Sequence, residues 1–218
     1  MKKALEAYWG DKISAEELLK VAKEQRLNTY ATIKEQGVDF VPTGTFSLYD
    51  HVLDMSNTLG IIPEAYATSG LSQLDTYFAM ARGHQKGGVD LPATEMKKWF
   101  DSNYHYLVPE FSEKSEFKLN DNKPVDDFIE AKEAGYNARP VILGPLTLLW
   151  LGKTSKDAQD PNFNRYSLLP KLAQTYVQLF EKLAAAGAPW VQLDEPILVV
   201  DTAKQLSNEF KQTYEIGR

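Results

Sequence analysis

The sequence predicts an α/β protein built on parallel strands, because one pattern occurs three times: a helix-periodic apolar stripe stops at a glycine, and an apolar strand follows at once. The strands lack polar alternation, as expected when both faces of a sheet are covered. The last strand runs into Asp194, Glu195 and Pro196. In parallel sheets the carboxyl ends of strands form the ligand-binding face, and proline cannot donate to a ladder, so the strand should close there with its carboxylates at that face.

The first copy opens on a capping-box pair, Ser14 and Glu17. It continues through Leu18, Leu19, Ala22, Leu27, Tyr30 and Ile33 and stops at Gly37, before the strand VDFVP at 38–42. A further strand-like run, YHYLV, lies at 104–108. The second copy starts at Pro124, a favourable first helical residue. Val125, Phe128, Ile129 and Ala131 then lead to Gly135 and the strand RPVIL at 139–143. The leucines and Trp150 just beyond it read as a short helix packed on the sheet. In the third copy Leu168, Leu169, Leu172, Tyr176, Leu179, Phe180 and Leu183 form a buried face that ends at Gly187, before PWVQL at 189–193. The segments 83–94, with Gly87, Gly88 and Pro92, and 153–165, rich in Asp, Asn and Lys, read as loops.

A chain of 218 residues with 43% apolar content can bury one sizeable core, so a single domain over 1–218 is expected. Its 24 basic and 30 acidic residues give a formal charge of -6, which argues against nucleic acid and anionic membranes as partners. The longest apolar run, Val141 to Leu151, is broken by Gly144 and Pro145 and falls short of the ~20 residues that span a bilayer. No secretory signal is visible, so a cytoplasmic location is expected. Cysteine is absent, which excludes disulfides, thiolate metal sites and cysteine nucleophiles.

Several residues invite a chemical reading. Asp194 and Glu195 could serve as acid and base or bind a substrate amine, but consecutive strand residues face opposite ways, so at most one is expected in a pocket and the other in fixing the loop. Asp50, His51 and His105 could form a metal or acid–base cluster. Without cysteine or an HxxxH or HExxH spacing, a histidine bonded to backbone or carboxylate is the better expectation, and no metal site or catalytic residue is assigned. Gly152, Lys153 and Thr154 end like a phosphate-binding loop, yet the first glycine such a loop requires is replaced by Thr147. Lys97 and Lys98 beside Trp99 and Phe100 read, on composition alone, as a solvated helix face next to a core anchor.

Five segments in this order and spacing carry a resemblance: KALEAYW (3–9), VDFVPTGTFSLYDHV (38–52), KWFDSNYHYLVPEF (98–111), PVILGPLTLLWLGK (140–153) and WVQLDEP (190–196). Together they resemble the amino-terminal domain of cobalamin-independent methionine synthase, the zinc enzyme that moves a methyl group from a folate polyglutamate to homocysteine. The resemblance implies a (βα)8 barrel that packs on a second, catalytic barrel holding the zinc, with no cofactor in this chain. The family's first strand, with its glycine, phenylalanine, proline, arginine pattern, would precede Met1, and about three more strands would follow Arg218. Strands two to five of the barrel are therefore expected, truncated at both ends.

In the family a lysine before a Trp-Phe pair and basic groups near the start of the chain hold the polyglutamate tail. Lys98 matches the former, and Lys2 and Lys3 continue the latter. Lysine suits the task, since a run of carboxylates needs compact, mobile cations. The implied partners are folate polyglutamate and the catalytic half. Alternatively, a truncated paralogue would act as an interaction module, pairing through its open sheet edges with another chain or as a homo-oligomer. A third reading is an independent lyase or transferase using Asp194, Glu195 and His105.

Overall fold

The computed structural model describes residues 1–216. The chain begins with α1 (Lys2–Trp9) and α2 (Ala15–Glu35). The capping box forms as expected: Ser14 Oγ accepts from Glu17 N at 3.1 Å, and Ser14 N donates to the Glu17 carboxylate at 2.7 Å. After Gly37, in the left-handed region at φ 82°, comes β1 (Val41–Thr43). Three helices follow, α3 (His51–Thr58), α4 (Glu64–Ala67) and α5 (Gln73–Arg82). The antiparallel pair β2 (His84–Lys86) and β3 (Val89–Leu91) leads to a second one, β4 (Met96–Lys98) and β5 (His105–Leu107). Beyond β6 (Glu110–Phe111) lie α6 (Lys123–Glu133), β7 (Ala138–Leu143) and α7 (Pro145–Leu151). The chain then forms β8 (Lys153–Thr154), α8 (Leu169–Ala185), β9 (Gln192–Asp194) and α9 (Ser207–Ile216).

The three helix–glycine–strand units become α2–β1, α6–β7 and α8–β9, and their strands form one parallel sheet in the order β1-β7-β9. Val41 pairs with Ala138, and Leu143 pairs with Asp194. The sheet stays open: among the described residues no set of strands closes into a barrel. The fourth expected strand, at 104–108, does not join it. Residues 105–107 fold back on 96–98 instead, through a tight turn in which Trp99 N donates to the Tyr104 carbonyl at 2.7 Å and Phe100 takes a left-handed φ of 49°.

Two more expectations are corrected. Segment 83–94 is a hairpin, because Gly87 and Gly88, both at positive φ, supply the turn its twist requires. In 153–165, Lys153 and Thr154 pair in parallel with Glu110 and Phe111. The helices at 2–9, 51–58 and 73–82 stand outside the three helix–glycine–strand units, and α3 buries the polar Ser56, Asn57 and Thr58.

The apolar side chains gather in two clusters. One holds Val41, Ile142, Leu146, Phe128, Leu172 and Leu179 around the parallel sheet, and the other holds Leu18, Tyr77, Phe78 and Met80 around α1 and α5. Helix α3 bridges them, with Val52 and Met55 in the first and Leu53 in the second. Among the described residues no helix is long and apolar enough to cross a membrane.

Candidate functional site

A cleft of about 800 Å³ opens at the carboxyl ends of the parallel strands. Its floor is made by Val141, Ile142, Leu143 and Leu193. Its walls carry His51, Asp54, Trp99, Tyr104, Lys123 and the Asp194–Glu195 pair. Both carboxylates line it, against the expectation of one. Strand alternation does not apply to Glu195, because β9 ends at Asp194.

Their roles differ sharply. Asp194 is exposed and accepts from the Gln192 side chain at 2.7 Å. Glu195 instead turns onto the start of α7, where it accepts from Leu146 N at 3.0 Å, Thr147 N at 2.7 Å, the Thr147 hydroxyl, and the Tyr214 hydroxyl at 2.9 Å. Burial pushes its carboxyl above the usual range, while these hydrogen bonds oppose the rise. Glu195 thus satisfies the orphan donors of a helix whose own cap, Gly144, has no side chain. It is a structural tie and not a free acid or base.

Asp50 is 1% exposed and lies behind the cleft wall. It caps α3 by accepting from Leu53 N at 2.9 Å, and it also accepts from Leu107 N at 3.1 Å and the Tyr104 hydroxyl at 2.7 Å. His51 packs edge-on against Trp99 with ring centres 4.5 Å apart, and its Nδ1 lies 3.4 Å from the Tyr104 hydroxyl. His105 is not in the cleft. Strand β5 turns Tyr106 and Leu107 inward and leaves His105 exposed, its Nδ1 2.9 Å from the Asn103 carbonyl. Asp50 and His51 do meet, with His51 Nδ1 3.7 Å from Asp50 Oδ1, but His105 lies apart from them and from the Asp194–Glu195 pair, so neither the Asp50–His51–His105 cluster nor the Asp194–Glu195–His105 set assembles.

A buried charge network went unforeseen in the sequence. Lys123 Nζ lies 2.6 Å from Asp127 and 3.5 Å from Asp54, and it donates to the Phe46 carbonyl at 2.7 Å. Arg26 forks onto Glu130 with two 2.8 Å bonds and sits 3.4 Å from Asp127. Tyr77 donates to Asp54 at 2.7 Å. Burial raises the Asp54 carboxyl above its usual range, with Lys123 pulling the other way. The only sequence signal was the i,i+4 spacing of Lys123 and Asp127.

The three lysines read as tail ligands stand outside the cleft. Lys98 is exposed on β4, a strand and not the helix face expected, opposite His105. Its neighbour Lys97 lies 3.4 Å from Glu95, and Lys153 lies 2.7 Å from the same carboxylate. Among the described residues Lys98 has no carboxylate partner. Lys2 and Lys3 occupy the first turn of α1, with Lys2 3.8 Å from Glu6, and no hydrogen bond or ion pair joins them to β4. At Gly152 a Cβ would sit 2.2 Å from the Phe111 ring, so glycine there is a packing requirement and not part of a phosphate loop.

The family described as "Cobalamin-independent synthase, N-terminal domain" matches residues 1–217. Among curated proteins, the chain is 51% identical over 221 residues to a protein of Schizosaccharomyces pombe named probable 5-methyltetrahydropteroyltriglutamate–homocysteine methyltransferase. That alignment covers 99% of this chain and 28% of the relative. Proteins of the same name, without "probable", from Saccharomyces cerevisiae and a Chelativorans species are each 48% identical. They align with 98% and 99% of this chain and with 28% and 29% of their own lengths. The chain thus spans less than a third of the relatives it matches.

Proposed function

The chain belongs to the family of cobalamin-independent synthase amino-terminal domains, and we propose that it serves a methionine synthase as the part that holds the folate polyglutamate tail and scaffolds the catalytic half. The relatives' names specify a triglutamate-bearing methyl donor and homocysteine as acceptor. The observation that carries the tail assignment is the free ammonium of Lys98, on a strand whose neighbouring cations are already held by Glu95. Lys2 and Lys3, exposed on α1, are weaker contributors to the same anion. In this reading the β1-β7-β9 sheet is an arc of a (βα)8 barrel, and its unpaired edges accept further strands.

Removing one exposed cation should weaken binding of triglutamyl methyl-tetrahydrofolate by no more than about fivefold, and the loss should shrink with salt. Calorimetric titration of the wild type and Lys98→Ala at low and high salt tests this. Equal affinities at low salt would rule the assignment out.

Zinc chemistry does not fit the donors present here. The histidines 51, 84 and 105 lie on α3, β2 and β5, Asp50 already takes three hydrogen bonds, and cysteine is absent. Homocysteine needs activation as a thiolate, which soft ligands around zinc support and hard oxygen ligands do not. The chain incubated alone with zinc, triglutamyl methyl-folate and homocysteine should make no methionine. Product formed in proportion to this chain would overturn the division of labour. The interaction-module reading draws on the unpaired sheet edges and on exposed apolar side chains such as Leu198 and Val199, the latter 85% exposed, just after the cleft carboxylates.

A further inference from the structure

We infer that Asp50 is a positioning residue for the tail site: its buried carboxylate locks the strand pair that carries Lys98 onto helix α3. The inference rests on the proposed role of Lys98 and adds what holds that lysine in place. Strands β4 and β5 pair with no other strand among the described residues. A two-stranded ribbon is marginal by itself, so its orientation must be fixed from outside.

Several contacts reach it. Phe100 stacks on Trp150 at 5.1 Å at the tip, and the Tyr106 hydroxyl donates to the Leu151 carbonyl at 2.8 Å. Glu95, at the foot of β4, ties Lys97 and Lys153. Asp50 instead brings a buried carboxylate from α3 to the other strand and accepts there at two points, and hydrogen bonds to a carboxylate are about twice as strong as neutral ones. It takes the Tyr104 hydroxyl on Oδ1 and Leu107 N on Oδ2. Lys98 stands opposite His105, between the two residues that Asp50 holds. Oδ2 also caps α3 through Leu53 N, and α3 packs into the sheet core through Val52 and Met55. One side chain therefore links the core to the strand on which the free ammonium sits. Without it the ribbon is hinged at its tip and base, and the cation is spread over a wider volume.

The variant Asp50→Ser separates the two duties. Serine is a good N-cap and keeps the Leu53 bond, but it is too short to reach Leu107 and Tyr104. Tyr104→Phe removes one tie with little change in packing. Mono- and triglutamyl methyl-tetrahydrofolate are titrated into the wild type, Asp50→Ser, Tyr104→Phe, Lys98→Ala and Asp50→Ser/Lys98→Ala, with amide exchange followed at residues 96–98 and 105–107. Asp50→Ser should lose the triglutamate preference to the same extent as Lys98→Ala, by no more than about fivefold. Monoglutamate affinity should not change, exchange in the ribbon should speed up, and the double variant should be no weaker than Lys98→Ala. Tyr104→Phe should fall between wild type and Asp50→Ser. A retained preference in Asp50→Ser while Lys98→Ala loses it, or losses that add in the double variant, would overturn the positioning role. No effect of Lys98→Ala would instead overturn the tail site itself, and the positioning role with it.

Discussion

Replacing Lys123 by alanine should destabilise the fold by about 3 to 5 kcal/mol, the cost of leaving a buried charge without its partner. Lys123 is the cation shared by Asp54 and Asp127, and Arg26 is committed to Glu130 on the far side of Asp127. The network holds three carboxylates against two cations, with side chains between 5% and 22% exposed. Removing Lys123 leaves Asp54 with neutral hydroxyl support, Tyr77 among it at 2.7 Å, and its Oδ2 already lacks a hydrogen bond. Lys123→Met keeps the stem's packing without the charge and should lose nearly as much.

A pH signature distinguishes this from simple loss of contacts. The Asp54 carboxyl already lies above its usual range through burial, and losing Lys123 should raise it further. A carboxyl whose folded pKa is raised binds its proton more tightly in the folded state. It therefore favours folding at low pH, and that advantage is lost as pH rises through the folded pKa. The deficit of Lys123→Ala should be smaller at pH 5 than at pH 8. Urea unfolding at both pH values, with unchanged slope, measures it. A deficit under 1 kcal/mol at pH 8, or one equal at both, would show that the network contributes little.

That network marks where the sequence stops being informative. Helices α2, α6 and α8 were legible because each has an apolar stripe and a glycine stop, and α2 also has its capping box, all local features. Arg26 and Glu130 are 104 residues apart, and each reads alone as a solvated charge. Only the packing of α2 on α6 turns them inward. YHYLV was legible as a strand but not its partner, since an apolar run fits a parallel sheet or a hairpin equally well, and the turn at Phe100 decided between them. His105 misled for the same reason. Which side of β5 faces the core depends on that pairing. Asp50 could have been recognised as a helix cap, because it immediately precedes HVLD, but its bonds to Leu107 and Tyr104 depend on the fold.

Gly144→Ala should cost about 2 to 3 kcal/mol, although the backbone there, at φ -72° and ψ 154°, suits any residue. The constraint is space. A Cβ at position 144 would lie 2.2 Å from Glu195 Cδ, well inside contact distance, so the carboxylate must leave the start of α7. Eviction would leave the amides of Leu146 and Thr147 without an acceptor, and unsatisfied buried donors cost about 1 to 3 kcal/mol each before water relieves them. Glu195→Ala should therefore be destabilising by about 3 kcal/mol in its own right. If both variants act through the same displaced carboxylate, their effects cannot add. In the Glu195→Ala background, Gly144→Ala should cost only about 1 kcal/mol, the difference between glycine and alanine as an N-cap. The double-mutant cycle should thus show a coupling of about 1 to 2 kcal/mol, measured by thermal or urea unfolding of the four proteins. Strictly additive losses would mean that Gly144 is required for some reason other than Glu195, and that the tie between β9 and α7 does not set the shape of this side of the cleft.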